Sequence, residues 1–184
     1  MVDVFKRAAL LAGAFLAPAV QAGHAATGDS AHAFAFEALE GGPLPLAQYA
    51  GRVLLVVNTA SFCGYTPQYA ALQRLHERHE ARGLTVLGVP SQDFAQESGD
   101  ARRIREFCDT QFGITFPLTA LNHVRGAQAH PFFRWAAQQA GPVRWNFQKY
   151  LVGRDGRRIT GFSTQTPPDG PALSRAIEAA LAAT

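Results

Sequence analysis

Cys63 stands in the segment Asn58-Thr59-Ala60-Ser61-Phe62-Cys63-Gly64-Tyr65-Thr66-Pro67, a small polar turn that follows the apolar run Val53–Val57. Thr66 suits the N-cap of a following helix and Pro67 its first position. Cys63 then sits just before a helix N-terminus, beside unpaired N–H groups and the positive end of the helix dipole. Both favour thiolate over thiol, and the thiolate is the nucleophile. The alternative is a buried, inert cysteine, but ligands of α/β proteins gather where a central strand ends. A dithiol exchange motif needs a second cysteine three positions on, and Thr66 occupies that place. A lone thiolate here suits attack on a small electrophile, such as a peroxide oxygen.

Positioning that turn requires a strand before it and a helix after it, and alternating patterns continue along the chain. Residues 33–39 alternate Phe with small or polar side chains, and Gly41-Gly42-Pro43 turns them back into a short hairpin. The run 53–57 reads as a strand buried on both faces. Residues 67–82 show helical spacing and end at Gly83, and 84–89 form a second buried strand. Helices are predicted at 100–112, 130–140 and 171–182. Strands at 147–152 and 158–162 flank the turn signal Gly153-Arg154-Asp155-Gly156. The order predicts one α/β domain: a central mixed sheet flanked by helices, with a short N-terminal β-hairpin.

Composition supports one globular domain: 184 residues, 47% hydrophobic, with 13 Phe and 17% charged. Two cysteines are too few for a disulfide scaffold or a thiolate zinc site. A net charge of +3 is too small to indicate nucleic acid or an anionic membrane surface. Lys6-Arg7, the apolar run 8–20 and Val20-Gln21-Ala22 follow the pattern of a secretory signal. That run is well short of the roughly twenty residues a spanning helix needs. The expected division is a signal peptide over 1–22, with cleavage after Ala22 or as late as Ala26, and a domain over 23–184. An exported, periplasmic protein without stable membrane insertion is expected. His76 and His79 are three apart, not the four of a zinc-protease helix, and are read as solvated surface with no metal. Arg144 and Lys149 flank Trp145-Asn146 and could attract an anionic thiol substrate, but are read as basic surface residues that do no more than solvate.

Four blocks together give the chain a resemblance to the glutathione peroxidase family: N-T-A-S-F-C-G-Y-T-P-Q-Y at 58–69, F-A-Q-E at 94–97, F-C-D-T-Q-F-G-I-T-F-P at 107–117 and W-N-F-Q-K-Y-L-V at 145–152. The resemblance implies a thioredoxin-like fold and reduction of hydrogen peroxide or organic and lipid hydroperoxides, without a bound cofactor. It puts the peroxidatic position at Cys63 and its helpers at Gln96, Trp145 and Asn146. The indole and amide N–H groups of such helpers would stabilise a sulfur anion and hold the peroxide as its O–O bond breaks. The loop before Gln96 is one residue shorter than the family pattern, and Ala95 stands where glycine is usual. Cys108 falls where thioredoxin-dependent members carry a resolving cysteine, which implies a Cys63–Cys108 disulfide. Its helical neighbours Ile104 and Phe107 also allow plain packing, and a cysteine on a buried helix face must unwind that helix to reach Cys63. The reductant is an external thiol, of thioredoxin type or glutathione. Only 140–144 separate the third helix from Trp145, too few for the extra loop of tetrameric members, so a monomer with an open site is expected. A redox sensor passing its oxidation to a partner protein is the alternative function, and it needs the same Cys63.

Overall fold

The computed structural model describes residues 29–183, so the segment read as a secretory signal lies outside the described residues. A hairpin leads, with β1 (Ala35–Glu37) antiparallel to β2 (Pro43–Pro45). Then come β3 (Val53–Thr59), α1 (Gln68–His79), β4 (Leu84–Pro90), α2 (Ala101–Phe112), α3 (Pro131–Ala140), β5 (Lys149–Val152), β6 (Ile159–Phe162) and α4 (Pro171–Ala182). The main sheet runs β4-β3-β5-β6, with β3 parallel to β4 and antiparallel to β5. It is the mixed sheet that the alternating patterns predict.

All seven residues of β3 are buried, because helices cover both faces of the sheet. The pleat sorts its side chains. Val53, Leu55 and Val57 pack with Tyr69, Leu72, Ile104, Leu173 and Ile177 beneath α1, α2 and α4. Leu54 and Val56 point the other way, against Phe132 and Phe133 of α3 and Phe36 of the hairpin. Each fully buried aliphatic or Phe side chain contributes roughly 1.5–3 kcal/mol, so β3, paired on both edges, is firmly anchored. Everything attached to its carboxyl end inherits that rigidity.

α1 is shorter than its periodicity predicts. The α-helix stops at His79, a single 3-10 turn covers 80–82, and Gly83 closes it at φ +98°. His76 and His79, expected on the solvated surface, are buried instead. His76 lies edge-on to Phe116 and His79 lies near Glu178 of α4. The helix is covered on two sides, by the sheet and by its neighbours, and spacing along one helix cannot report the second cover. Among the described residues no group of three or more potential ligands gathers for a metal.

α2 is anchored more lightly. Asp100 caps its start by accepting from the Arg102 and Arg103 N–H groups, and only Ile104 and Cys108 on it are buried. Its end closes at Gly113, which adopts φ +59° while the Ile114 N–H returns to the Cys108 carbonyl.

Candidate active site

β3 and β5 run antiparallel, so the carboxyl end of the first meets the entrance of the second, and Val57 pairs with Lys149. Asn58 continues the join beyond the ladder. Its Nδ2 donates to the Trp145 carbonyl at 3.1 Å, and its Oδ1 accepts from the Gln148 N–H at 3.1 Å. The Phe147 N–H donates to the Asn58 carbonyl at 2.6 Å. Phe147 itself is held at φ +61°, a left-handed backbone that costs a residue with a Cβ roughly 1–2 kcal/mol. Full burial and an edge-to-face contact with Tyr69 at 5.3 Å offset that cost. The bend buries Asn146 and leaves Trp145 41% exposed.

The Cys63 turn is built differently from its sequence reading. Thr66 does not cap a helix. Its Oγ1 accepts from the Cys63 N–H at 3.0 Å and donates to the Ala60 carbonyl at 2.9 Å. Turns closed by the Thr66 N–H on the Cys63 carbonyl and the Gln68 N–H on the Tyr65 carbonyl lead into α1, so its helical hydrogen bonding begins after Thr66 has already been drawn into the turn. Thr66 thus locks the loop from within. Cys63 is 7% exposed, and its Sγ accepts from the Tyr65 N–H at 3.4 Å. A backbone donor aimed at sulfur stabilises negative charge there.

Gln96 meets this turn by two routes. Its carbonyl accepts from the Phe62 N–H at 2.9 Å, and its Oε1 accepts from Asn146 Nδ2 at 2.9 Å. The shortened loop therefore brings Gln96 to Asn146, and the Gln96 amide nitrogen is left to donate elsewhere. Ala95 bridges the missing residue by adopting φ +53°. Glycine takes that conformation without the steric penalty, so Ala95→Gly is expected to stabilise the protein by about 1 kcal/mol in urea unfolding. A loss of stability would show that the Ala95 methyl contributes packing worth more than its strain.

Phe94 and Phe107 extend the site outward. The Phe94 ring lies 4.9 Å from Trp145, with the Arg125 guanidinium 4.7 Å above its centre. Phe107 of α2 lies 6.4 Å from Phe62, which is 67% exposed. Phe62 and Trp145 are the large exposed apolar side chains among the described residues, and both adjoin predicted site residues in the chain. Cys108 is fully buried on α2 with its thiol free, and burial pushes that thiol up to about 11 while the adjacent Tyr69 hydroxyl pulls it back. Lys149, read as a surface cation, is also fully buried. Its Nζ donates to Gln68 Oε1 at 2.6 Å and to the Thr166 carbonyl at 2.9 Å, and burial pushes its amine down to about 7. The strand placing it turns its stem inward, which neighbouring residue types do not reveal.

Two further residues escape a reading by residue type. By type Asn58 is only the first polar residue after an apolar run, yet it ties the Trp145–Gln148 segment to β3. Glu97 looks like a solvated loop acid, yet it is buried and its Oε1 accepts from the Ser61 and Ser98 N–H groups. The available signal was their place inside the N-T-A-S and F-A-Q-E blocks.

The glutathione peroxidase family model matches residues 31–137 of the chain. The chain belongs to the glutathione peroxidase family. It is by class a peroxidase, an oxidoreductase. This glutathione peroxidase relative is 40% identical over 153 residues to a hydroperoxy fatty acid reductase of Synechocystis sp., covering 77% of this chain and 90% of that protein. It is 38% identical over 148 residues to a glutathione peroxidase-like peroxiredoxin of Schizosaccharomyces pombe, covering 77% and 92%. Among solved structures it superposes on T. cruzi GPX1 with a TM-score of 0.67 at 29% identity, over 83% of this chain and 96% of the other. A thiol:disulfide interchange protein of the thioredoxin family from Chlorobium tepidum, at 15% identity and TM-score 0.59 over 80% and 92%, shares the fold alone. The fold is thioredoxin-like.

Proposed function

We propose that this peroxidase reduces hydrogen peroxide and organic hydroperoxides, including those of lipids, with Cys63 as the peroxidatic residue and Gln96, Trp145 and Asn146 as its helpers. The Cys63 thiolate attacks the terminal peroxide oxygen. An S–O bond forms, the O–O bond breaks, and the departing hydroxide or alkoxide takes a proton from solvent to leave as water or an alcohol, with Cys63 as sulfenic acid. The observation that carries this reading is the 2.9 Å hydrogen bond from Asn146 to Gln96, whose own carbonyl holds the residue before Cys63. The exposed Phe62 and Trp145 support acceptance of a bulky apolar chain, in keeping with the name of the Synechocystis relative.

Cys108 then condenses with the sulfenic acid, releasing water and forming a Cys63–Cys108 disulfide. A thioredoxin-type dithiol returns both cysteines to the reduced state; glutathione is the competing reductant. The peroxiredoxin-like relatives support the former. The pattern of residues 1–22 supports export to the periplasm, where the reductant must itself be exported. Removing a single well-placed donor lowers a rate by roughly a hundredfold. Asn146→Ala is therefore expected to slow oxidation of Cys63 by about that factor, measured by stopped flow with hydrogen peroxide and with a fatty acid hydroperoxide. An unchanged rate would reduce Asn146 to a structural residue of the bend.

A further inference from the structure

Two exposed aromatic side chains mark the surface around the site, and each has a ring beside it: Phe62 has Phe107 of α2, and Trp145 has Phe94. The cations near the two pairs differ. Arg105, on the same helix as Phe107, is committed to Glu40 of the hairpin and to Asp109. Arg125 is exposed, and among the described residues no carboxylate pairs with its guanidinium. Its Cζ lies 4.7 Å from the centre of the Phe94 ring, which in turn lies 4.9 Å from the Trp145 ring. A guanidinium over an aromatic face is held by the ring quadrupole, and its in-plane N–H groups stay available as a fork for a carboxylate.

This cation is built into the loop that forms the site. Asp93 precedes Phe94 and spends both carboxylate oxygens on the segment carrying Arg125. Its Oδ1 meets His123 Nδ1 at 2.7 Å, and its Oδ2 accepts from the Val124 and Arg125 N–H groups at 2.7 and 3.1 Å. Asp93 therefore fixes the ring and the cation together. Two residues past Phe94, Gln96 accepts from Asn146 through its side chain and from the Phe62 N–H through its carbonyl. Arg125, Phe94 and Trp145 thus form a continuous path, and the same loop ties it to the residue before Cys63.

We propose that Arg125 binds the carboxylate of a free fatty acid hydroperoxide, whose acyl chain runs over Phe94 and Trp145 toward the Cys63 turn. The inference rests on Cys63 as the peroxidatic residue and refines its substrate class to anionic, single-chain hydroperoxides in preference to neutral ones. A mid-chain hydroperoxide of a long fatty acid is separated from its carboxylate by a run of methylene groups, and the two rings offer apolar surface to that run. The chain also has a direction. Arg105 is already paired, so the Phe62–Phe107 side suits the methyl end and Arg125 the carboxylate.

Linoleic acid hydroperoxide and its methyl ester differ in that one charge. Each is mixed with reduced protein at neutral pH in the same non-ionic detergent, and stopped flow follows oxidation of Cys63. The parent is expected to favour the acid over the ester by about tenfold at low salt and by less at high salt. Arg125→Gln is expected to react equally with both. Arg144 is also exposed and adjoins Trp145 in the chain, and Arg144→Gln is expected to keep the parental preference. Comparing acid with ester inside one protein cancels any general effect of a substitution on packing. Equal rates in the parent, or a preference that survives Arg125→Gln, overturns the carboxylate site and leaves the Cys63 reading standing. Failure of hydrogen peroxide to oxidise Cys63 in the parent overturns both.

Discussion

Cys63→Ser is expected to abolish peroxide turnover, a loss on the order of 10⁴-fold or more, while the protein stays folded. The reason lies in how little else changes. A hydroxyl replaces a thiol of similar shape at a site 7% exposed, and the Tyr65 N–H still finds an acceptor there. The Thr66 contacts to the Cys63 N–H and the Ala60 carbonyl involve no side-chain atom of residue 63. What disappears is the sulfur nucleophile, since a serine hydroxyl is a far weaker one and needs a base beside it to react. Turnover in a coupled reductase assay, with circular dichroism on the same sample, separates the two effects. A variant retaining near-parental turnover would move the chemistry away from Cys63.

Cys108→Ser is expected to remove the intramolecular disulfide and turnover with thioredoxin-type reductants. Cys63 should still oxidise, stopping at sulfenic acid. The expectation follows from α2, whose buried anchors are Ile104 and Cys108 alone. With two fully buried side chains, and Phe107 and Phe112 only partly covered, such a helix can open locally at less than the cost of global unfolding. Opening exposes a thiol that burial otherwise holds at about 11, mostly protonated and slow to react. Mass spectrometry of the non-reduced protein after one equivalent of peroxide reads the outcome. Hydrogen exchange along 101–112 is expected to quicken in the oxidised form. A lasting sulfenic acid at Cys63 in the parent, with Cys108 still free, would leave a one-cysteine peroxidase served by an external thiol.

The elements were legible in the sequence wherever a local pattern decided them. The apolar run that becomes β3, the glycine that closes the turn after α1, and the hairpin turn at 153–156 each carry their own signal. The Cys63 turn was legible as a place for a nucleophile, but not in its construction. Whether Thr66 caps a helix or locks the loop depends on where the first helical N–H falls, and composition does not fix that. Lys149, His76 and His79 were misplaced for one shared reason: their burial is imposed by segments distant in the chain. The meeting of Gln96 with Asn146 depends likewise on the left-handed backbone at Ala95 and Phe147, two residue types that seldom adopt it.

The antiparallel seam between β3 and β5 also has a kinetic meaning. Asn58 and Gln148 are 90 residues apart, and the hydrogen bond between them closes a long loop before any Trp145 or Asn146 side chain can approach the Cys63 turn. Contacts of that span form late, after local helices and turns. A nascent or partly refolded chain is thus expected to hold the Cys63 sulfur in a local turn without the groups proposed to activate it. If Cys63 works with those groups as proposed, peroxide reactivity is expected to appear only once β3 and β5 have paired, and to be lost when that pairing melts.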